Sequence, residues 1–248
     1  MMLIFIPTYN EKENARDLYK EIKALGIKAD ILFMDDNSPD GTGGILDTIA
    51  HNDSSVKVIH RPGKLGIGSA HSQGIRYAYD HGYKKLLTMD CDFTHMPADI
   101  PRMLEASQGW DVVIGSRYLR DNSLPGWNPL RRFLTYFAHF LTRVCLGNHF
   151  DASGAFRVYD LQKIPMGVFQ LVESKSYSFF FESIFILTKN HFTINEIPIV
   201  LPSRTYGHSK MNCFEAFKSA RYLLRLTLEN SLNPGKFRMG CGQGRGRQ

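Results

Sequence analysis

The chain has 248 residues and carries 30 Lys and Arg against 24 Asp and Glu, a formal net charge of +6. Hydrophobic residues make up 43% and charged ones 22%, which excludes a disordered, collagen-like or disulfide-dense chain. That length suits one large α/β domain, alone or with a small appendage. Four cations, Lys236, Arg238, Arg245 and Arg247, fall in the acid-free stretch 235–248, so the rest of the chain is nearly neutral. This Gly- and Arg-rich stretch lacks periodicity and is expected to be a disordered tail behind a domain of 1–234. Only the tail favours RNA, and no nucleic-acid partner is expected. Cys91, Cys145, Cys213 and Cys241 show no metal or redox spacing, which points to a reducing compartment. No uncharged apolar run approaches the ~18 residues needed to span a bilayer. The opening Met1-Met2-Leu3-Ile4-Phe5-Ile6-Pro7 has no basic n-region and reads as a buried strand, not a signal peptide.

In chain order, apolar runs at 2–7, 30–35, 56–60, 84–89 and 111–115 predict strands. Between them, 11–25, 42–50, 67–81 and 98–106 repeat apolar residues every three or four positions, as at Leu18, Ile22 and Leu25, and predict helices. Such alternation builds a mostly parallel sheet covered on both faces. Ligands of these sheets sit outside the carboxyl ends of the strands. The segments that follow the runs are Pro7-Thr8-Tyr9-Asn10-Glu11, Asp35 through Thr42, Arg61 through Gly68, Asp90-Cys91-Asp92-Phe93-Thr94-His95, and Gly115-Ser116-Arg117-Tyr118. All of them land on one edge of the expected sheet.

Asp90 and Asp92 place two carboxylates at a strand end, a hard oxygen pair suited to Mg2+ or Mn2+ shared with a diphosphate. Alternation turns Cys91, between them, toward the core. Asp36 ends a strand where a carboxylate accepts from a base or a ribose, although Asp35 through Gly41 also suits an N-cap and tight turn. The glycines of 63–68 match neither phosphate-loop fingerprint and read as a flexible loop that opens a helix. Arg117, Arg131, Arg204 and Lys210 form a cationic set suited to phosphate.

Two later segments, about 128–146 and 212–230, have the period of amphipathic helices. The first gathers Leu130, Phe133, Leu134, Phe137, Leu141, Val144 and Cys145; the second mixes Phe214, Phe217, Leu223, Leu224 and Leu228 with Lys218, Arg221 and Arg225. Residue pattern alone suits a core-packing helix or a helix lying in a membrane surface.

The motifs PTYNE, DDNSPDGT, MDCDFTH, GSRY, SGAFR and RTYGHSK follow one another as they do in dolichol-phosphate mannosyltransferases. The chain therefore resembles the polyprenyl-phosphate branch of the inverting glycosyltransferases of family 2, from about residue 3 to residue 230. The resemblance implies a single GT-A (Rossmann-like) α/β domain with two amphipathic surface helices. It implies a hexose, mannose from GDP-mannose, passed to a polyprenyl (dolichyl) phosphate. Pro7, Tyr9, Glu11, Asp36, Asp90 and Asp92 would hold the nucleotide sugar. Asp90 and Asp92 would take the metal, Mg2+ or Mn2+, with Thr94 standing where many prokaryotic relatives carry Gln as a further ligand. Arg117, Arg131, Arg204 and Lys210 would position the donor and acceptor phosphates. Asp90, Asp92, Arg117 and Arg131 form the catalytic set, and Asp151, Ser153 and Arg157 lie on the sugar and acceptor side. The helices would rest on the cytosolic face of a membrane. Because the C-terminal transmembrane helices of some members are missing, attachment is expected to be peripheral or through a small anchoring subunit. The rival reading keeps the fold and replaces the donor with UDP-glucose or another UDP-sugar, with a lipid-phosphate or non-lipid acceptor.

Overall fold

Met2–Thr8 is apolar at every position but its last, as a strand covered on both faces must be, and it forms β1 at the centre of the sheet. The structure, a computed structural model, describes residues 1–203 and 213–240. Asp30–Asp35 (β2), Val56–His60 (β3), Lys85–Thr88 (β4), Val112–Ser116 (β5), Arg157–Asp160 (β6) and Ile194–Pro198 (β7) complete a seven-stranded sheet of order β3-β2-β1-β4-β6-β5-β7. All strands run parallel except β6, which is antiparallel to both β4 and β5. The expected strands and helices of the first half are present, with Lys12–Ala24 (α1), Thr42–Asn52 (α2), Ile67–Asp80 (α3) and Ile100–Ala106 (α4) between the strands.

Alternation along β1 divides the core. Ile4 and Ile6 pack with Leu18 and Ile22 of α1, Leu46 of α2 and Met103 of α4. Leu3 and Phe5 pack on the other side with Ile75 of α3 and the phenylalanines of Ser178–Lys189 (α7). Burying one such side chain is worth roughly 1.5–3 kcal/mol. The short Met166–Phe169 (α6) and the 20-residue Cys213–Leu232 (α8) cover this second face.

Two features depart from the sequence reading. First, residues 63–68 are not a loose loop. Gly66 has φ +95°, and a Cβ on Gly68 would stand 2.6 Å from the Ser176 carbonyl oxygen, so the glycines let the 175–176 segment approach. Second, the expected tail starts too early. Phe237 is 2% exposed and packs on Phe185, Asn190 Nδ2 donates to the Phe237 carbonyl at 2.8 Å, and the Met239 amide donates to Asn190 Oδ1 at 2.7 Å. Docking therefore continues to Met239, and 241–248 lie outside the described residues. Pro129–Leu146 (α5), by contrast, is an amphipathic surface helix, as the resemblance implies, and not the core helix that residue pattern alone also allowed. Asn128 caps it through the Arg131 amide at 2.8 Å, and only Thr142 and Leu146 are buried. Leu130, Phe133, Leu134, Phe137 and Val144 are exposed, while Leu141 and Cys145 are half-buried. On α8, Leu223 and Leu226 are buried, and Phe214, Phe217, Leu224 and Leu228 face outward. No helix among the described residues is long and apolar enough to cross a membrane.

Candidate active site

Register builds the site. Thr8, Asp35 and His60 stand level at the carboxyl ends of β1, β2 and β3. Because β6 is reversed, its first residue Arg157 pairs with Thr88 of β4 and Ile114 of β5. The segment 151–156 entering β6 is thereby delivered to the same edge.

The loops after β1 and β2 are latched. The Asn10 amide donates to Ser38 Oγ (2.9 Å), Glu11 to Thr42 Oγ1 (2.9 Å) and Lys12 to Asp40 Oδ2 (3.2 Å). Asn10 and Asn37 take the left-handed conformation these turns need, at φ 55° and 57°. Glu11 is buried and its Oε2 accepts from Asn14 Nδ2 at 2.8 Å. Pro7 and Tyr9 are half-buried at the mouth, with Lys64 Nζ 4.6 Å above the Tyr9 ring. Asp36 is gripped bidentately by Arg61, Nε to Oδ1 at 2.5 Å and Nη2 to Oδ2 at 2.8 Å. Each carboxylate oxygen keeps a further lone pair, so Asp36 can still accept from a ligand. Arg61 also reaches Ser69 Oγ at 2.8 Å and the Gly66 carbonyl, which ties the β3–α3 connection to the site.

Beyond β4, Asp90 is the more exposed carboxylate and Asp92 is 3% exposed. The Thr94 hydroxyl and amide both donate to Asp92 Oδ1, at 2.6 and 3.1 Å. Thr94 thus orients Asp92, a use of its hydroxyl other than the ligation inferred from its position. Phe93 bridges them at φ 60°, a strained conformation of the kind concentrated at functional sites. The Asp90 amide donates to His95 Nδ1 at 2.9 Å, and His95 stacks on Phe156. Cys91 is buried in the apolar core, as alternation requires.

Arg117 closes the edge. Its Nε donates to Asp151 Oδ2 at 2.8 Å, and its amide reaches the same oxygen at 3.2 Å. Asp151 is fully buried, and its other oxygen accepts from the Ser153 hydroxyl and the amides of Ser153 and Gly154. Burial alone would raise the Asp151 carboxyl, but the Arg117 guanidinium and these donors hold it below the ordinary carboxylate range. Burial would likewise lower the Arg117 cation, and the charges of Asp151 and Asp90 hold it above its ordinary value. Asp90, Arg117, Asp151 and Ser153 therefore form one electrostatic group. Glu196 of β7 anchors this group by accepting the Asp151 amide at 2.6 Å.

The remaining expected residues divide. Arg131 lays its guanidinium 3.7 Å over the Trp127 ring at the start of α5. Arg157 is fully buried, donating to Tyr159, Ser183 and the carbonyls of Ala152 and Phe180. Arg157 therefore braces the 151–156 segment through the Ala152 carbonyl from a fully buried position. Arg204 and Lys210 lie outside the described residues. Arg61, His95 and Glu196 carry parts of the site that motif reading did not single out. Arg61 had a usable signal, its place directly after an apolar run; Glu196 lies in a strand with no such run.

Residues 3–164 match the domain family described as Glycosyl transferase family 2. An undecaprenyl-phosphate mannosyltransferase of Micrococcus luteus is 36% identical over 212 residues, covering 85% of this chain and 87% of its own. A polyprenol monophosphomannose synthase of Mycolicibacterium smegmatis is 35% identical over 236 residues, covering 92% and 89%. Mannosyl-3-phosphoglycerate synthase from Rubrobacter xylanophilus superposes with a TM-score of 0.66 at 16% identity, over 100% of this chain and 78% of that one. A mannosyltransferase from Pyrobaculum calidifontis in complex with GDP-mannose and Mn2+ gives 0.56 at 13% identity, over 93% and 64%. These two likenesses are of fold. Parallel sheet, acidic strand end and matched domain agree: the chain is a glycosyltransferase and belongs to glycosyltransferase family 2.

Proposed function

We propose that the protein transfers mannose from GDP-mannose to a polyprenyl phosphate, with inversion, on the cytosolic face of a membrane. Its support is that two relatives matching at least 85% of this chain are named for mannose and a polyprenol or its phosphate. The observation that carries the chemistry is the pairing of the Asp90–Asp92 strand end with buried Arg117 on one sheet edge.

The donor's nucleotide lies along Pro7, Tyr9, Glu11 and Asp36. Its diphosphate meets Asp90 and Asp92. These hard oxygen donors fit Mg2+ or Mn2+, and no cluster of three or more acidic, His or Cys side chains forms a closed cage among the described residues. That donor set suits an ion that completes its shell with substrate phosphate and water. Bound there, the ion supplies positive charge against the departing diphosphate.

The chain's own residues do the rest. An acceptor phosphate, with a second pKa near about 6, is largely dianionic at neutral pH and needs no strong general base. Arg117, held rigid by Asp151, and Arg131, held flat on Trp127, offset the repulsion between two phosphate-bearing substrates and align them. Arg204 and Lys210 are assigned to the same phosphates. Direct displacement at the anomeric carbon inverts it. The outward apolar faces of α5 and α8 meet the membrane surface.

The test is transfer of labelled mannose from GDP-mannose to a polyprenyl phosphate in detergent, with Mg2+ or Mn2+, and UDP-glucose in parallel. Metal-dependent lipid label from GDP-mannose alone is expected. Label from UDP-glucose instead refutes the donor and keeps the fold; no label from either refutes the acceptor.

A further inference from the structure

Away from the strand ends, a cavity of about 450 Å3 opens between the 173–178 segment and α8. It shares no lining residue with the acidic strand end or the Arg117 group. Lys175, Lys218, Arg221 and Arg225 line it, with Glu173 as its acid. Glu173 pairs with Arg225 Nη2 in the same lining at 2.7 Å and with Lys236 Nζ outside it at 2.9 Å. Lys218 pairs with Glu215 at 3.1 Å. Neither Lys175 nor Arg221 has an acidic partner among the described residues. The cavity is therefore positively charged overall.

Two further groups belong to the same wall. Ser178, the first residue of the 12-residue α7, lines the cavity, and that helix start has no side-chain cap. The Phe179 and Phe180 amides bond back to the Ser176 and Tyr177 carbonyls, so what this helix start offers at Ser178 is the positive end of its dipole and not free amides. Ser178 is 1% exposed and its buried hydroxyl has no hydrogen-bond partner, a state native proteins rarely leave unexplained. Cations, the positive end of a helix dipole and an orphaned hydroxyl together suit an anion with several acceptor oxygens, of which phosphate is the common case.

The surroundings narrow the source. On α8 the exposed Phe217, Leu224 and Leu228 alternate with Lys218, Arg221 and Arg225. A dissolved anion has no use for those apolar side chains, whereas a lipid with a charged headgroup engages both. We propose that this cavity binds the phosphate of an anionic phospholipid headgroup, apart from the acceptor site, and so seats the protein on its membrane. The proposal does not rest on the identity of the sugar donor or acceptor.

Vesicle flotation with the full chain tests it, using phosphatidylcholine with and without phosphatidylglycerol and inorganic phosphate in a separate arm. Phosphatidylglycerol-dependent binding is expected, and the double variant K218Q/R221Q should weaken it by roughly tenfold or more. S178A should weaken it several-fold while leaving the melting temperature unchanged, because the lost hydroxyl had no partner. The charge-matched pair K20Q/K28Q, on and after α1, should bind as the parent does. Equal loss in both pairs would show long-range charge attraction only and overturn the site. Parental binding by both K218Q/R221Q and S178A overturns it as well. Thermal stabilisation by inorganic phosphate without vesicle preference reassigns the cavity to a dissolved phosphate and overturns the lipid assignment. Binding is read with no donor or acceptor present, so failure of mannose transfer and failure of this site are separate results.

Discussion

Asp151→Asn is the most informative single perturbation of the site. The substitution keeps the shape and removes one charge from a residue that is fully buried against an Arg117 side chain only 10% exposed. Arg117 then becomes an uncompensated buried cation. Removing one partner of such a pair costs about 3–5 kcal/mol. For a chain of this size each kcal/mol lowers the melting temperature by roughly 2 °C, so a drop of about 6–10 °C is expected. Transfer should fall roughly a hundredfold, since the guanidinium loses the Nε anchor that aims it. The double variant D151N/R117M separates the two effects. With the stranded charge gone, it should melt above D151N alone, yet remain inactive because Arg117 is absent. Differential scanning fluorimetry and steady-state transfer read both. If the two stability losses simply add, or if D151N melts and turns over like the parent, the pair does not act as the geometry requires.

Asp90→Ala and Asp92→Ala should each abolish transfer while the fold survives; near-normal turnover at saturating donor would refute the metal assignment. Arg131→Ala should raise KM for the acceptor more than it weakens nucleotide binding, and equal loss of both in parallel titrations would contradict the split. His71 gives a pH prediction. Burial among Phe5, Phe179 and Phe180, with the Arg157 cation nearby, pushes its imidazole down to about 3. An unfolded chain with pKa ~6.5 then binds a proton the folded one refuses, so stability is full above ~6.5 and declines as pH falls toward 3. Between pH 7.5 and 5 the loss is about 2 kcal/mol, and His71→Phe should remove most of it in denaturant titrations. An unchanged slope would count against the burial of that ring. His139, also lowered chiefly by burial, leaves a residual slope of the same sign.

The first half of the fold is legible because each strand is an apolar run ended by turn residues, and each helix shows one apolar stripe. That signal fades in the second half for identifiable reasons. β6 is four residues long and starts with Arg157, a cation whose burial rests on carbonyls and hydroxyls distant in sequence. β7, INEIP, carries Asn195 and Glu196 with Pro198 at its end, an edge strand without alternation. α7 is buried nearly all round, so it has no polar face to reveal a helical period. On α5 the stripe is real, but periodicity carries no information about whether protein or another surface covers it. The acidic strand end and Arg117 were legible from position alone. The pairings that support the site were not, since Arg61 meets Asp36, Asp151 meets Arg117 and Glu196 meets Asp151 only through the folded sheet.

Those supports share one construction. Asp36 is fixed by Arg61 from the next strand, Asp92 by Thr94 across a left-handed Phe93, and Arg117 by Asp151, which Glu196 holds from the far edge strand. Asp36 and Arg117 are thus oriented by partners delivered from other segments, and Asp92 by a residue of its own loop. The reversal of β6 matters here: a parallel strand would send residues 151–156 to the opposite edge and leave Arg117 without its carboxylate. A reaction whose nucleophile is already an anion needs charges that do not move as the diphosphate departs. Burial of the supporting carboxylates, costly for stability unless paired, is what keeps the Arg117 cation in place.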